Sequence, residues 1–164
     1  MATFKVKHGK GKYHDSAAYR ALIAYITNPK KVRDEGVIGA AVIPEIAAQA
    51  METVARAYHK EDGLKLRHSI LSFDSKENVP FETVKEIARQ TMDFYANQYQ
   101  MVAAIHENTE QPHIHFLMNT INYHNGSKYH GTKKDYYDSI KHIQKLTERY
   151  GIHTIPVKDS PSEV

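Results

Sequence analysis

The chain has 164 residues, 41% hydrophobic and 25% charged, with 11 histidines and no cysteine, enough for one compact core and too few for two ordinary domains. The lack of cysteine excludes disulfides and thiolate metal sites, so any transition metal must be held by imidazole, carboxylate or water; no run of about 18 apolar residues and no apolar stretch behind the first lysines suggests a span or a signal peptide, and a cytoplasmic protein is expected. The formal charge of +3 is segregated, with eight Lys/Arg against Asp15 alone in residues 1–33, net −4 over 34–99 and net +3 over 124–150.

In chain order, a short strand is predicted around Phe4–Lys7, followed by a glycine- and lysine-bearing loop to Asp15 and a helix over 17–26, N-capped by Asp15 or Ser16 and stopped by Asn28-Pro29. Residues 36–43 read as extended, 44–58 as an amphipathic helix with proline in its first turn, and 66–73 as a strand. Apolar residues at three- and four-residue spacing make 80–95 a helix. Two apolar runs, 99–105 and 114–121, flank the polar stretch HENTEQPH and predict an antiparallel pair, with a turn at Asn125-Gly126. A helix over 134–150 ending at Gly151 and an edge strand at 153–155 complete the domain, expected to span 1–155. Residues 156–164 are expected to be a flexible tail, frayed from Ser160 onward, and the ending KDSPSEV suggests a domain trimmed from a longer protein. This order predicts an α+β fold with a mainly antiparallel central sheet, helices packed on one face and the other face free for a ligand.

Two patterns carry chemistry. Eleven tyrosines and no tryptophan lie in a chain whose ends are basic, with Tyr13, Tyr19, Tyr25, Tyr129, Tyr136 and Tyr137 near the cationic segments. Cationic groups neutralise phosphates while aromatic faces stack on unpaired bases, so the pattern suits single-stranded nucleic acid. The second pattern is His106-Glu-Asn-Thr-Glu-Gln-Pro-His113-Ile-His115-Phe-Leu-Met-Asn119. Side chains two apart on a strand share a face, so His113 and His115 project together, and a short hairpin can bring His106 across from them. Three neutral imidazoles with open positions make a catalytic metal site. Asn108, Glu110 and Glu107 are candidates to orient an imidazole through its outer nitrogen. Such a site polarises a phosphodiester; water beside it would make a hydrolase, a tyrosine a covalent strand transferase.

From Ala17 to Asn122 the chain resembles the conjugative relaxases of the MOBP type, in the relaxase/mobilisation nuclease family of the HUH endonucleases. The resemblance rests on Leu22-Ile-Ala-Tyr25-Ile-Thr-Asn-Pro-Lys30, on His68-Ser-Ile-Leu-Ser72-Phe and on the histidine cluster followed by Asn119. It implies the HUH (palm/RRM-like) architecture, Tyr25 as nucleophile, Ser72 in contact with DNA near the cut, and magnesium or manganese at His106, His113 and His115. Many relatives carry aspartate where Asn108 stands, which leaves the orienting carboxylate open between Glu107 and Glu110. The implied reaction joins the tyrosine to the 5′ phosphate at a nick in an origin of transfer. Implied partners are single-stranded or hairpin origin DNA, an accessory relaxosome protein and a type IV secretion coupling protein, with the protein travelling alongside the DNA. Arg20, Lys30, Lys31, Asn119 and Lys133 are candidate DNA contacts. Three other readings compete. A rolling-circle initiator or single-strand transposase would use a tyrosine after the histidines, such as Tyr136 or Tyr137; a phosphodiesterase would use water; a DNA-binding module would not cut.

Overall fold

The computed structural model describes residues 1–9 and 11–159. Among these residues six strands form one sheet, β1 (Ala2–Val6), β2 (Val37–Ala40), β3 (Leu66–Phe73), β4 (Met101–His106), β5 (His113–Asn119) and β6 (Thr154–Pro156). Four helices accompany them: α1 (Ala18–Ile26), α2 (Ala47–Ala57), α3 (Phe81–Met92) and α4 (Lys133–Glu148). The sheet order is β2-β4-β5-β3-β1-β6, antiparallel throughout except for the parallel β1/β6 pair. The expected α+β class and mainly antiparallel sheet therefore stand.

The expectation of helices on one face is corrected: they cover both. On one side Met101, Ala103, Ile105, Ile114, Phe116 and Met118 pack with apolar residues of α3 and α4. On the other, Val102, Ala104, Leu66 and Leu117 pack with Leu22, Ile23 and Ile26 of α1 and Met51 and Ala55 of α2. The reason lies in the strands themselves. The β4 sequence MVAAI is apolar at every position, and a strand without polar alternation must be covered on both sides. Towards β3 and the ends of β4 and β5, the α1 side of the sheet turns polar, carrying His68, Ser72, His113 and His115.

Local chemistry shifts several boundaries. Ala17, and not Asp15 or Ser16, holds the α1 N-cap position; the Asp15 carboxylate accepts from the Ala17 N–H at 2.8 Å, two residues on. Pro44–Ile46 form a 3-10 turn before α2 begins at Ala47. Thr132 caps α4 by accepting from the Asp135 N–H at 3.1 Å, and Gly151 lies beyond its C-terminal end at φ 72°, where a side chain would be strained. Within the segment expected to be a tail, the Val157 N–H donates to Phe4 O at 2.8 Å and Asp159 accepts from the His8 N–H at 2.8 Å. The fraying expected over 160–164 falls outside the described residues.

Candidate active site

The β4–β5 register pairs His106 with His113 and Ala104 with His115, and β5–β3 pairing sets Ser72 beside His113 and Ile70 beside His115. Because alternate residues share a face, all three histidines emerge on the α1 side. One ring nitrogen from each lies within 4.8 Å of the other two. His106 and His115 are buried, and His113 is half-buried at the open edge.

The outer nitrogens are occupied. His106 Nε2 meets Ile26 O at 2.8 Å, and His113 Nδ1 meets Gln111 O at 3.0 Å. A carbonyl only accepts, so each of those nitrogens carries the ring proton, and the lone pair falls on His106 Nδ1 and His113 Nε2. His115 Nδ1 lies 2.8 Å from His68 Nε2, and His68 Nδ1 lies 2.7 Å from the Tyr13 hydroxyl. Burial, reinforced by surrounding cationic groups, pushes His115 down to about 2 and His68 to about 3. Burial also lowers His106, against the opposing effect of its bond to Ile26 O. Neutral imidazoles are the form that ligates metal, so the donor set fits a divalent ion.

The histidines share this face with the end of α1. Tyr25, in the last turn of α1, is 44% exposed and stands edge-on to the His115 ring at a centroid distance of 5.9 Å. The next residue, Ile26, supplies the carbonyl that holds His106, so one helix end places both the phenol and an imidazole. The Lys31 and Lys12 ammoniums lie 4.8 and 5.4 Å from the Tyr25 ring centre. Tyr19, six residues earlier on α1, is buried and directed at Asn119.

Not every anticipated residue is brought here. Glu107 faces away from the imidazoles and forms a two-bond pair with Arg33, at 2.8 and 3.0 Å. Asn108 and Glu110 are exposed, and neither is a hydrogen-bond partner of the three imidazoles. The outer positions go to two backbone carbonyls and to His68, because the loop after β4 turns its polar side chains towards solvent and Arg33. Asn119 is wholly buried, donating to Gln100 Oε1 at 3.1 Å; the cover of α1 and α2 removes it from the surface. Arg20 pairs with Glu52 of α2 at 3.3 Å. Lys31 joins the site and Ser72 sits beside it, half-buried, whereas Lys30 is exposed and its N–H donates to Asn28 Oδ1. Lys133 lines a separate cleft of about 770 Å³ together with Tyr13, Arg67, Tyr129, Tyr136 and Tyr137. The sequence placed Tyr13 only among the tyrosines suited to stacking on bases and His68 only at the start of the second motif, and gave neither a role at the imidazole cluster. His68 could have been found by parity, since it stands four residues before Ser72 on the same strand face; Tyr13, in an irregular loop, gave no periodic signal.

A mainly antiparallel sheet bearing three convergent imidazoles beside an exposed helix-end tyrosine is the arrangement that the resemblance to the HUH endonucleases implies. A family model described as "Relaxase: MobA/VirD2-like, nuclease domain" matches residues 25–152, and the chain belongs to that family. It is similar to the group II intron-interrupted relaxase LtrB of Lactococcus lactis subsp. cremoris, in strain MG1363 and in a second sequence from the subspecies. Each is 24% identical over 135 residues, covering 66% of this chain and 24% of the relative; the chain thus matches about a quarter of the length of those relatives. It also resembles a solved structure described as the molecular basis of vancomycin resistance transfer in Staphylococcus aureus. That similarity has a TM-score of 0.62 at 16% identity and covers 98% of this chain and 99% of that one, and it concerns the fold.

Proposed function

We propose that this domain nicks one strand at an origin of transfer by tyrosine transesterification. The Tyr25 hydroxyl oxygen attacks phosphorus, the bond from phosphorus to the 3′ oxygen breaks, and the strand is left with a 5′ phosphotyrosine and a free 3′ hydroxyl. The phenol loses one proton and the leaving 3′ oxygen gains one. The phosphotyrosine keeps the bond energy for later rejoining, which suits mobilisation of a plasmid or integrative element. The observation that carries this reading is the placement of an exposed tyrosine edge-on to His115, beside the imidazole cluster.

His106 Nδ1, His113 Nε2 and His115 Nε2 would hold a divalent ion, magnesium or manganese. Bound there, the ion supplies a Lewis acid for the nonbridging phosphate oxygens. The chain's own residues do the rest. Ile26 O and Gln111 O keep two ring protons on the outer nitrogens, and the Lys31 and Lys12 ammoniums beside the Tyr25 ring attract the phosphate. Lys31, Ser72 and the tyrosine-lined cleft are the surfaces proposed for the strand, with an accessory relaxosome protein and a secretion coupling protein as partners of the whole relaxase. The rival tyrosines, Tyr136 and Tyr137, line the cleft, where none of the three clustered histidines is found.

The test is a suicide-substrate assay with single-stranded origin DNA and mass mapping of the adduct. Tyr25→Phe is expected to fold and to bind metal and DNA yet form no covalent adduct, while the double Tyr136→Phe/Tyr137→Phe variant retains it. An adduct mapped to Tyr136 or Tyr137 would overturn the assignment and favour a replication initiator or transposase.

A further inference from the structure

Tyr13, His68 and His115 form a buried file in which each ring is linked to the next by a single hydrogen bond, at 2.7 and 2.8 Å. The Tyr13 and His68 side chains are each 2% exposed and His115 is 4% exposed. The His68 and His115 rings are stacked at a centroid distance of 5.0 Å. Tyr13 is held from behind: its carbonyl accepts from the Lys65 N–H at 2.8 Å, and the Lys65 ammonium donates to His14 O at 2.9 Å. Each link has room for one proton, so the protons must all point along the file in one direction or all in the other. The other two clustered imidazoles have no such freedom, because carbonyls hold their tautomers.

We propose that His68 is the positioning residue for the third metal ligand, with Tyr13 behind it. When a divalent ion is on His115 Nε2, His115 Nδ1–H donates to His68 Nε2 and His68 Nδ1–H donates to the Tyr13 oxygen. Without the ion, the Tyr13 hydroxyl donates to His68 Nδ1 and His68 Nε2–H donates to His115 Nδ1, which places the His115 proton on the ligating nitrogen. Loading therefore reverses the file. An imidazole–phenol pair thus takes the outer place that a carboxylate or carbonyl commonly fills in histidine metal sites. This inference rests on the metal reading above.

Two measurements on the whole chain test it, and neither reads activity. Nitrogen-15 NMR of the imidazoles during a Zn²⁺ titration is expected to show the His68 proton moving from Nε2 to Nδ1. A loaded protein with His68 still protonated on Nε2, or with His115 bound through Nδ1, overturns the proposal. Calorimetric Mn²⁺ titration is expected to show His68→Leu weakening affinity by about 10- to 100-fold. His68→Gln should recover most of it, since its amide can accept from His115 and donate to Tyr13. Tyr13→Phe should lose less than His68→Leu. Should His113→Ala weaken Mn²⁺ binding while a folded His68→Leu binds within twofold of the parent chain, this proposal fails and the metal site survives. If His113→Ala binds like the parent chain, the metal site fails and takes this proposal with it.

Discussion

Asn119 shows how one residue changes meaning when its surroundings are known. At the end of β5 it shares the face of His113 and His115, and from the sequence it reads as a DNA contact. In the fold its amide is fully buried, donating to Gln100 Oε1 at 3.1 Å, with longer approaches to Met51 O and the Tyr19 hydroxyl at 3.5 Å. Asn119→Ala would leave the Gln100 carbonyl without a donor, and a buried unsatisfied polar group costs roughly 1–3 kcal/mol. The expected result in chemical denaturation is a loss of that size, with single-stranded DNA affinity unchanged at temperatures where the variant is folded. A variant of parental stability that binds DNA more weakly would return Asn119 to the interface.

At the scale of the element, α1 separates two phenols by direction. Six residues along a helix turn through roughly 240°, and the helix accordingly buries Tyr19 against Asn119 while leaving Tyr25 exposed at the histidines. Burial, with smaller contributions from Glu52 and Glu61, pushes the Tyr19 hydroxyl up to about 12 from its ordinary 10.0. Since the folded value lies above the unfolded one, the stabilisation is complete below pH 10 and is lost as pH rises towards 12, where the unfolded chain gives up the proton first. Equilibrium unfolding measured across this window should show stability falling with pH, less steeply in Tyr19→Phe than in the parent chain. Equal slopes would mean that Tyr19 ionises as readily folded as unfolded. Its neighbours β4 and β5 carry the complementary lesson. Their hairpin and the facing histidines were legible because strand parity is a covalent property of the chain. The cover on both faces was also written in the unbroken apolar run of β4, although the order of elements suggested one-sided packing.

For the whole molecule, the charge segregation along the chain becomes a spatial one. Lys12 and Lys31 come from the basic N-terminal segment and stand at the Tyr25 ring, while Lys133, from the basic 124–150 segment, lines the cleft that Tyr13 shares. Each phosphate contact on a single strand contributes about 0.7 to the log-log salt slope, so Lys31→Ala with Lys133→Ala should flatten it by up to ~1.4. Arg20→Ala should leave it nearly unchanged, because Arg20 is spent on Glu52 across α1 and α2. Fluorescence anisotropy over a range of salt concentrations distinguishes these outcomes, and an unaltered slope in the double variant would remove both lysines from the DNA path.

By itself, the sequence determined whatever depends on local periodicity and spacing. That includes the helix and strand order, the long β3 strand over Leu66–Phe73, the common face of His113 and His115 and the short hairpin bringing His106 opposite them. It also carried the motif order by which the chain resembles relaxases. Tertiary structure alone decided which neighbour completes each imidazole. Glu107 is adjacent in sequence yet pairs with Arg33, whereas Ile26, 80 residues from His106, and His68, 47 residues from His115, supply the outer contacts. The physical reason is that a ring nitrogen bonds whatever donor or acceptor packing places near 2.8 Å. For these rings the placement follows from docking α1 and pairing β3 with β5, which no window of sequence contains.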